Sequence, residues 1–295
     1  MADGRSSRVT SANLEARTIA AFGDEWTRFD QLGLSAAERD RIFEDYFRIF
    51  PWHRLPAGGG EGADIGCGSG RWAAVVAPRV AKLHLLDPSA AALEVARANL
   101  KGLTNVVFEQ ASVDATRLMD GSLDFAYCLG VLHHVPDTPG AIKTIAAKLK
   151  PRAPFLLYLY YAFDNRPFWY HWLWRVTDVA RRAVARLPYG PRYLVTQVVA
   201  AACYWPLSRV ALVLERLGAL PRAWPLAYYR DKSFYLMRND ARDRFGTVLE
   251  QRFTRSQIAA MLCNAGLEAI MFSDRPPYWC AIGVKSARVF QQTSK

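Results

Sequence analysis

Three glycines at alternate positions follow an acid in Ala63-Asp64-Ile65-Gly66-Cys67-Gly68-Ser69-Gly70. Glycine takes backbone angles closed to other residues and leaves main-chain atoms open to a ligand. Such a loop, between an apolar strand and a helix, lies in the crevice where doubly wound sheets bind nucleosides. Asp87 stands 17 residues after Gly70, at the end of the apolar run Lys82–Asp87. A carboxylate there can accept both hydroxyls of a ribose, and it also suits capping the next helix. A dinucleotide fingerprint needs glycine or alanine three residues beyond Gly68; Arg71 stands there, so a pyrophosphate fits poorly.

Further polar groups follow downstream. Ser112, Val113 and Asp114 fall in the turn after a third strand. The segment Asp124-Phe-Ala-Tyr-Cys-Leu-Gly-Val-Leu-His-His-Val-Pro-Asp137 places His133 and His134 after a fourth. These histidines and Tyr160 are the candidates for moving a proton; the histidines also suit capping and orienting their loop. Tyr161, Tyr228, Tyr229, Asp243 and Arg244 are candidates for binding a second substrate, and equally for core or solvated-surface duty.

The D-x-G-x-G-x-G spacing resembles motif I of class I S-adenosylmethionine (SAM)-dependent methyltransferases. The Asp124–Asp137 segment resembles the D-x-V-x-x-x-x-x-L-H-H-V stretch of the ubiquinone/menaquinone-type (methyltransferase type 11) family. The resemblance covers Asp64–Tyr161 and, more loosely, Phe253–Lys285. It implies SAM as cofactor and S-adenosylhomocysteine (SAH) as product. Gly66, Cys67, Gly68 and Gly70 would hold the amino-acid portion of SAM, with Asp64 orienting the loop or reaching the ammonium through water. Asp87 would take the ribose, Ser112, Val113 and Asp114 the adenine, and Leu129 and Gly130 would lie beside the sulfonium. Ser112 departs from the aspartate many members carry. The family's amino-methyltransferases acting on DNA show N/D-P-P-Y after strand four, and cytosine C5 enzymes a Pro-Cys; here that position reads Cys-Leu-Gly-Val. Arg275-Pro-Pro-Tyr278 looks similar but lies far downstream.

The elements that must position these groups alternate. Strands are expected at Gly62–Gly66, Lys82–Asp87, Asn105–Glu109, Ser122–Leu129 and Ala153–Tyr161. Helices are expected at Arg71–Val80, Pro88–Leu100 and Thr138–Leu149. A helix after Thr254 and a closely spaced strand pair, Leu267–Ser273 and Tyr278–Lys285, complete the pattern. The fold class is therefore α/β, a doubly wound, seven-stranded, mostly parallel sheet with its last strand antiparallel. Residues 1–55 read as an N-terminal helical cap, 56–163 and 246–288 as the cofactor-binding core, and 289–295 as a tail. Residues 164–245 read as a helical insertion that serves as an acceptor lid or oligomer contact.

In that insertion, Trp172, Val176, Val179 and their apolar neighbours are expected to form the inner face of a helix. Arg175, Arg181, Arg182 and Arg186 are expected on the other face. Its tryptophans and tyrosines are expected to wall an apolar pocket. Its longest apolar run, Leu194–Leu207, is interrupted by Gln197 and expected to end at Pro206, too short for a membrane span. The net charge is +11, and Tyr158–Phe245 carries 14 basic and 6 acidic residues, so most of the excess belongs to this region. That permits anionic partners, including peripheral contact with lipid headgroups. The five cysteines show no metal spacing, so no metal is expected and reduced buried thiols are. The N-terminus lacks a secretory pattern, and the expected location is the cytoplasm.

The reading that follows is a SAM-dependent methyltransferase acting on a small, apolar or aromatic acceptor at oxygen, nitrogen or carbon, as a monomer or homodimer. Positioning and desolvation would carry the in-line displacement. The alternatives are a nucleic-acid methyltransferase using the basic insertion, a partner class the missing motifs disfavour, and a non-catalytic SAM-binding protein.

Overall fold

The computed structural model describes residues 16–31 and 33–287. Seven strands form one sheet: β1 Glu61–Ile65, β2 Lys82–Asp87, β3 Val106–Gln110, β4 Phe125–Leu129, β5 Pro154–Tyr158, β6 Leu267–Phe272 and β7 Cys280–Lys285. Their order is β3-β2-β1-β4-β5-β7-β6, with only β7 antiparallel to its neighbours. This is the sheet the alternation predicts, and it makes the fold a Rossmann-like methyltransferase fold. Strands β4 and β5 are buried along nearly their whole length, as expected where helices cover both faces. The order reverses beside β1, so its C-terminal end and that of β4 open the crevice in which ligands bind.

Ten helices accompany the sheet among the described residues: α1 Ala16–Arg28, α2 Ala36–Phe47, α3 Ala73–Val76, α4 Ala90–Asn99, α5 Thr138–Lys148, α6 Phe168–Ala185, α7 Tyr189–Val199, α8 Trp205–Arg216, α9 Phe234–Gly246 and α10 Arg255–Asn264. Local chemistry sets several starts. Ser89, Asp137 and Ser233 accept backbone N–H groups at the heads of α4, α5 and α9. Thr254 and Gln257 form a reciprocal capping box at α10.

Two expectations about the insertion are corrected. On α6 the expected apolar inner face is not found: Trp172, Val176 and Val179 point outward, at 68%, 51% and 71% exposure, on a helix whose arginines are also exposed except for Arg181. Arg181 points inward, where it pairs with Asp178 at 2.7 Å and donates to the Thr247 carbonyl. A buried ion pair with a second acceptor satisfies the guanidinium, so Arg181 faces inward without stranding a charge. Second, Pro206 does not end the apolar helix. A π-helical turn at Ala200–Tyr204 joins α7 to α8, and the wider turn absorbs the N–H that proline lacks. The joined helix Tyr189–Arg216 spans 28 residues and contains an 18-residue window of mean hydropathy 1.4, so by length and composition it is long and apolar enough to cross a membrane. Thr196, Ala200, Tyr204, Ser208 and Ala211 are buried along one face, and Leu194, Val198, Val213 and Leu217 are exposed. Arg175, Arg182 and Arg186 remain exposed beside the outward apolar residues of α6.

Candidate active site

The glycine loop follows β1 with positive φ at Gly66, Gly68 and Gly70. Gly68 explains why the position tolerates no side chain: a Cβ there would lie 2.6 Å from the ring of Trp26 on α1. The N-terminal helix therefore covers the loop, and Asn99 ties the two together by donating to the carbonyls of Asp30 and Ser69. At the end of β2, Asp87 accepts from the backbone N–H of Gly68 (3.0 Å) and of Ser89 (2.8 Å). Asp87 thus ties the glycine loop to the head of α4, while the capping role the sequence also allowed it falls to Ser89.

Asp64 is buried on β1 and accepts from the Tyr127 hydroxyl at 3.0 Å. Burial pushes its carboxyl up to about 8, against the pull of that hydrogen bond, and pushes Asp87 up to about 6. The Ser69 hydroxyl and the Arg71 Nε are buried without a partner among the described residues. Ser112 donates to Asp114 at 2.6 Å, while Val113 is part of the core. Leu129 ends β4, and Gly130 follows, its N–H donating to the Tyr158 carbonyl at 3.2 Å. The residues assigned to the cofactor are therefore gathered along the ends of β1, β2, β3 and β4. A loop that side chains would fill, two raised carboxyls and unpartnered buried donors suit a ligand with an ammonium, a carboxylate and a ribose.

Beside this crevice, beyond the ends of β4 and β5, lies a cavity of about 740 Å³. Tyr160, Tyr161, Tyr228, Tyr229 and Arg244 line it, as the sequence reading proposed for the acceptor. Asp243 does not; it sits behind Tyr160, accepting the phenol proton at 2.5 Å and facing His134 Nε2 at 3.6 Å. Burial alone would raise the Asp243 carboxyl, but the His134 imidazole and the Tyr160 phenol outweigh it and hold it below the usual range. His134 Nδ1 is spent on the Leu249 carbonyl at 2.6 Å. Its Nε2 can therefore donate to Asp243 only when the ring is protonated.

His133 stacks on Tyr160 with centroids 3.8 Å apart, has no hydrogen-bond partner at either ring nitrogen among the described residues, and is completely buried. Burial pushes its pKa well below the usual histidine range, and the nearby positive charges of His134, Arg252 and Arg244 push the same way. The three candidate proton carriers thus form one cluster, but Tyr160 alone among them reaches the cavity.

The cavity's other walls were not singled out in the sequence. Tyr46 and Arg48 arrive from α2, Arg166 and Tyr170 from the start of the insertion, and Arg252 from the strand-like link before α10. Arg275-Pro-Pro-Tyr278, set aside above as a misplaced motif, forms part of the mouth. Of the aromatic residues expected to wall an apolar pocket, Trp224, Tyr228 and Tyr229 do so, whereas Trp169, Trp172 and Trp205 are exposed. The walls are tyrosine and arginine more than hydrocarbon.

These features define a class I SAM-dependent methyltransferase domain. Residues 63–152 match the family model described as a methyltransferase domain. The uncharacterized methyltransferase YcgJ of Bacillus subtilis (strain 168) is 35% identical over 104 residues, 35% of this chain and 41% of the relative. A ubiquinone biosynthesis O-methyltransferase of Albidiferax ferrireducens is 33% identical over 143 residues, 45% of this chain and 57% of the relative. The chain spans about half the length of the curated relatives it matches. An O-methyltransferase family protein from Burkholderia thailandensis shares the fold with a TM-score of 0.50 and 18% identity, over 91% of this chain and 59% of that one. The matched family segment ends before β5, so Tyr160 and the cavity walls after it lie outside that match.

Proposed function

We propose that this protein methylates a small-molecule acceptor with SAM as donor. The observation that carries the reading is the adjacency of two sites: Gly130 ends the glycine-loop crevice, and Tyr158, next to it, is already a wall of the cavity. SAM supplies an activated methyl group on a sulfonium, so the protein's task is to hold, orient and exclude water. Asp87 and the glycine loop would hold the cofactor, with Asp64 near its ammonium and Ser112, Val113 and Asp114 near the adenine. The tyrosine-rich cavity would hold the acceptor. Tyr160 keeps its proton, since burial and the adjacent Asp243 both push its pKa up, and so acts as a positioned group rather than a resident phenolate. Similarity to a protein named as an O-methyltransferase favours oxygen as the methylated atom. The test is a screen of phenols, carboxylic acids, amines and quinones with labelled SAM, read by mass shift. A product about 14 Da heavier, formed by the wild type and lost in Asp87→Ala, supports the reading (CH₃ in place of hydrogen, a net gain of CH₂); no transfer to any compound or cell extract by SAH-binding protein overturns it.

A second reading concerns location. The outward apolar residues of α6 and of the Tyr189–Arg216 helix, together with Arg175, Arg182 and Arg186, favour a surface that lies on an anionic bilayer. The burial of one long face of Tyr189–Arg216 against the protein favours lying on the bilayer over crossing it. Much of the insertion's other positive charge is used internally: Arg192, Arg209 and Arg242 hold protein carbonyls or Asp24, which weighs against a phosphate-tracking surface for nucleic acid. Co-sedimentation with phosphatidylglycerol vesicles, abolished in Trp172→Glu/Val179→Glu, is the expected result; equal recovery of both proteins in the supernatant contradicts it.

A further inference from the structure

Eight cationic side chains and four carboxylates line the acceptor cavity. Half of the cations are neutralised within the protein. Arg48 pairs with Asp45 at 3.1 Å, Lys232 with Asp45 at 3.4 Å, Arg230 with Glu215 at 2.7 Å and Arg252 with Glu250 at 2.8 Å. Arg166, Arg222, Arg244 and Arg275 have no carboxylate within 4 Å among the described residues. Three of these stand toward the mouth. Arg244 is the deep one, placed by α9 against the rings of Tyr160 and Tyr229, 5.7 and 5.8 Å from their centroids.

The carboxylates nearest to Arg244 on its own helix are engaged elsewhere. Asp240 takes the Tyr229 hydroxyl at 2.5 Å, and Asp243 takes the Tyr160 hydroxyl at 2.5 Å and faces His134. A guanidinium withdrawn from water without a paired anion is costly, and its fork of N–H donors matches the two oxygens of a carboxylate or phosphate. Around it stand the phenols of Tyr229, Tyr204, Tyr160 and Tyr158. Burial raises the pKa of each, so they keep their protons; those of Tyr229 and Tyr160 are donated to Asp240 and Asp243, which leaves the Tyr158 hydroxyl on the cavity wall to donate to an anion.

We propose that the acceptor carries an oxyanion, a carboxylate or a phosphate, and that the Arg244 guanidinium holds it inside the tyrosine-lined cavity. This rests on the methyltransferase reading above, since it makes the cavity the acceptor site. It also replaces the apolar acceptor expected from the insertion's composition with an anionic one, because Trp169, Trp172 and Trp205, which suggested a greasy pocket, are exposed and only Trp224 among the insertion's tryptophans lines the cavity.

The experiment has two stages. SAH is first titrated into wild type, Arg244→Gln and Arg244→Lys. No binding to wild type would defeat the methyltransferase reading itself; equal binding to all three keeps that reading and shows the variants folded. SAH-saturated protein is then challenged with matched pairs, benzoate against benzamide and phenyl phosphate against benzyl alcohol, followed by thermal shift and calorimetry. The acid of at least one pair should bind wild type about tenfold more tightly than its neutral partner. That preference should vanish in Arg244→Gln and persist in part in Arg244→Lys. A preference shown only by the carboxylate or only by the phosphate pair identifies the oxyanion. The proposal is overturned if neutral partners bind as well as acids, if Arg244→Gln keeps the preference, or if no acid binds at saturating millimolar concentration.

Discussion

The cofactor crevice is drawn from one continuous stretch of chain, Asp64 to Gly130, and every side chain in it stands at a strand end or in the turn that follows. The tyrosine-lined cavity shares the edge of the same sheet, but its walls come from α2, the end of β5, the insertion, α9 and the loops at Arg252 and Arg275–Tyr278. In the crevice, backbone geometry does much of the work: positive-φ glycines make a turn that a carboxylate then ties down. In the cavity, side-chain chemistry does it, through phenols and guanidinia brought together by packing. The comparison teaches that one sheet can hold a locally encoded site beside one that exists only in the folded chain.

That contrast can be broken most forcefully at Asp87. Removing a carboxylate that bonds two backbone N–H groups in the crevice costs about 1.5–3 kcal/mol per charged hydrogen bond. Asp87→Ala should therefore weaken SAH binding by at least about tenfold in calorimetry, while leaving the binding of anionic acceptor probes in the cavity intact. Loss of both in a protein that still melts cooperatively would show that the two sites are one unit.

Tyr160→Phe probes the other side. It leaves Asp243 without the phenol that donates to it, and an unsatisfied buried acceptor costs about 1–3 kcal/mol. A melting temperature several degrees lower is expected, with methyl transfer reduced and SAH affinity unchanged. An unchanged melting temperature would mean that the Tyr160–Asp243 contact contributes nothing to the fold.

A smaller effect should appear in pH dependence. The folded Asp64 carboxyl titrates at about 8, against about 3.9 when exposed. The shift is upward, so burying Asp64 costs no stability below the unfolded value and costs progressively more as pH rises toward about 8. A ligand ammonium gains attraction only as that carboxyl ionises. SAH affinity should accordingly rise a few-fold between about pH 6 and pH 7.5 in the wild type, and the slope should flatten in Asp64→Asn. Parallel slopes in the two proteins would remove Asp64 from the ligand's surroundings.

The smallest effect belongs to α6. Trp172 is exposed, so Trp172→Ala should change stability by no more than about 0.5 kcal/mol and leave SAH binding untouched. A loss of several degrees in melting temperature would show that this face is covered in solution.

How much of this was legible in the sequence follows from the same contrast. Strand β2 and the start of α5 were readable to the residue, because an apolar run ending in an acid, and a threonine after an aspartate cap, are local signals. The glycine loop and Asp87 were readable for the same reason. What was not legible was orientation. The 3.6-residue period of α6 revealed an apolar face but could not tell that it points outward, and the inward Arg181–Asp178 pair departs from the simplest choice. Pro206 looked like a stop because a π-helical turn leaves no composition signal. His133 and His134 lie against Tyr160, and their burial depends on packing by α1 and by the chain around Leu249, far away in sequence. Tyr46, Arg166 and Arg252 gave no local signal at all, since each is one of many aromatic or basic residues until the fold aims it.

The central claim is most directly tested by titrating SAH into the purified wild-type protein alongside Asp87→Ala. The account predicts saturable one-to-one binding by the wild type and affinity at least about tenfold weaker in the variant. Equal affinity in the two proteins, or no binding by a folded wild type, would contradict it.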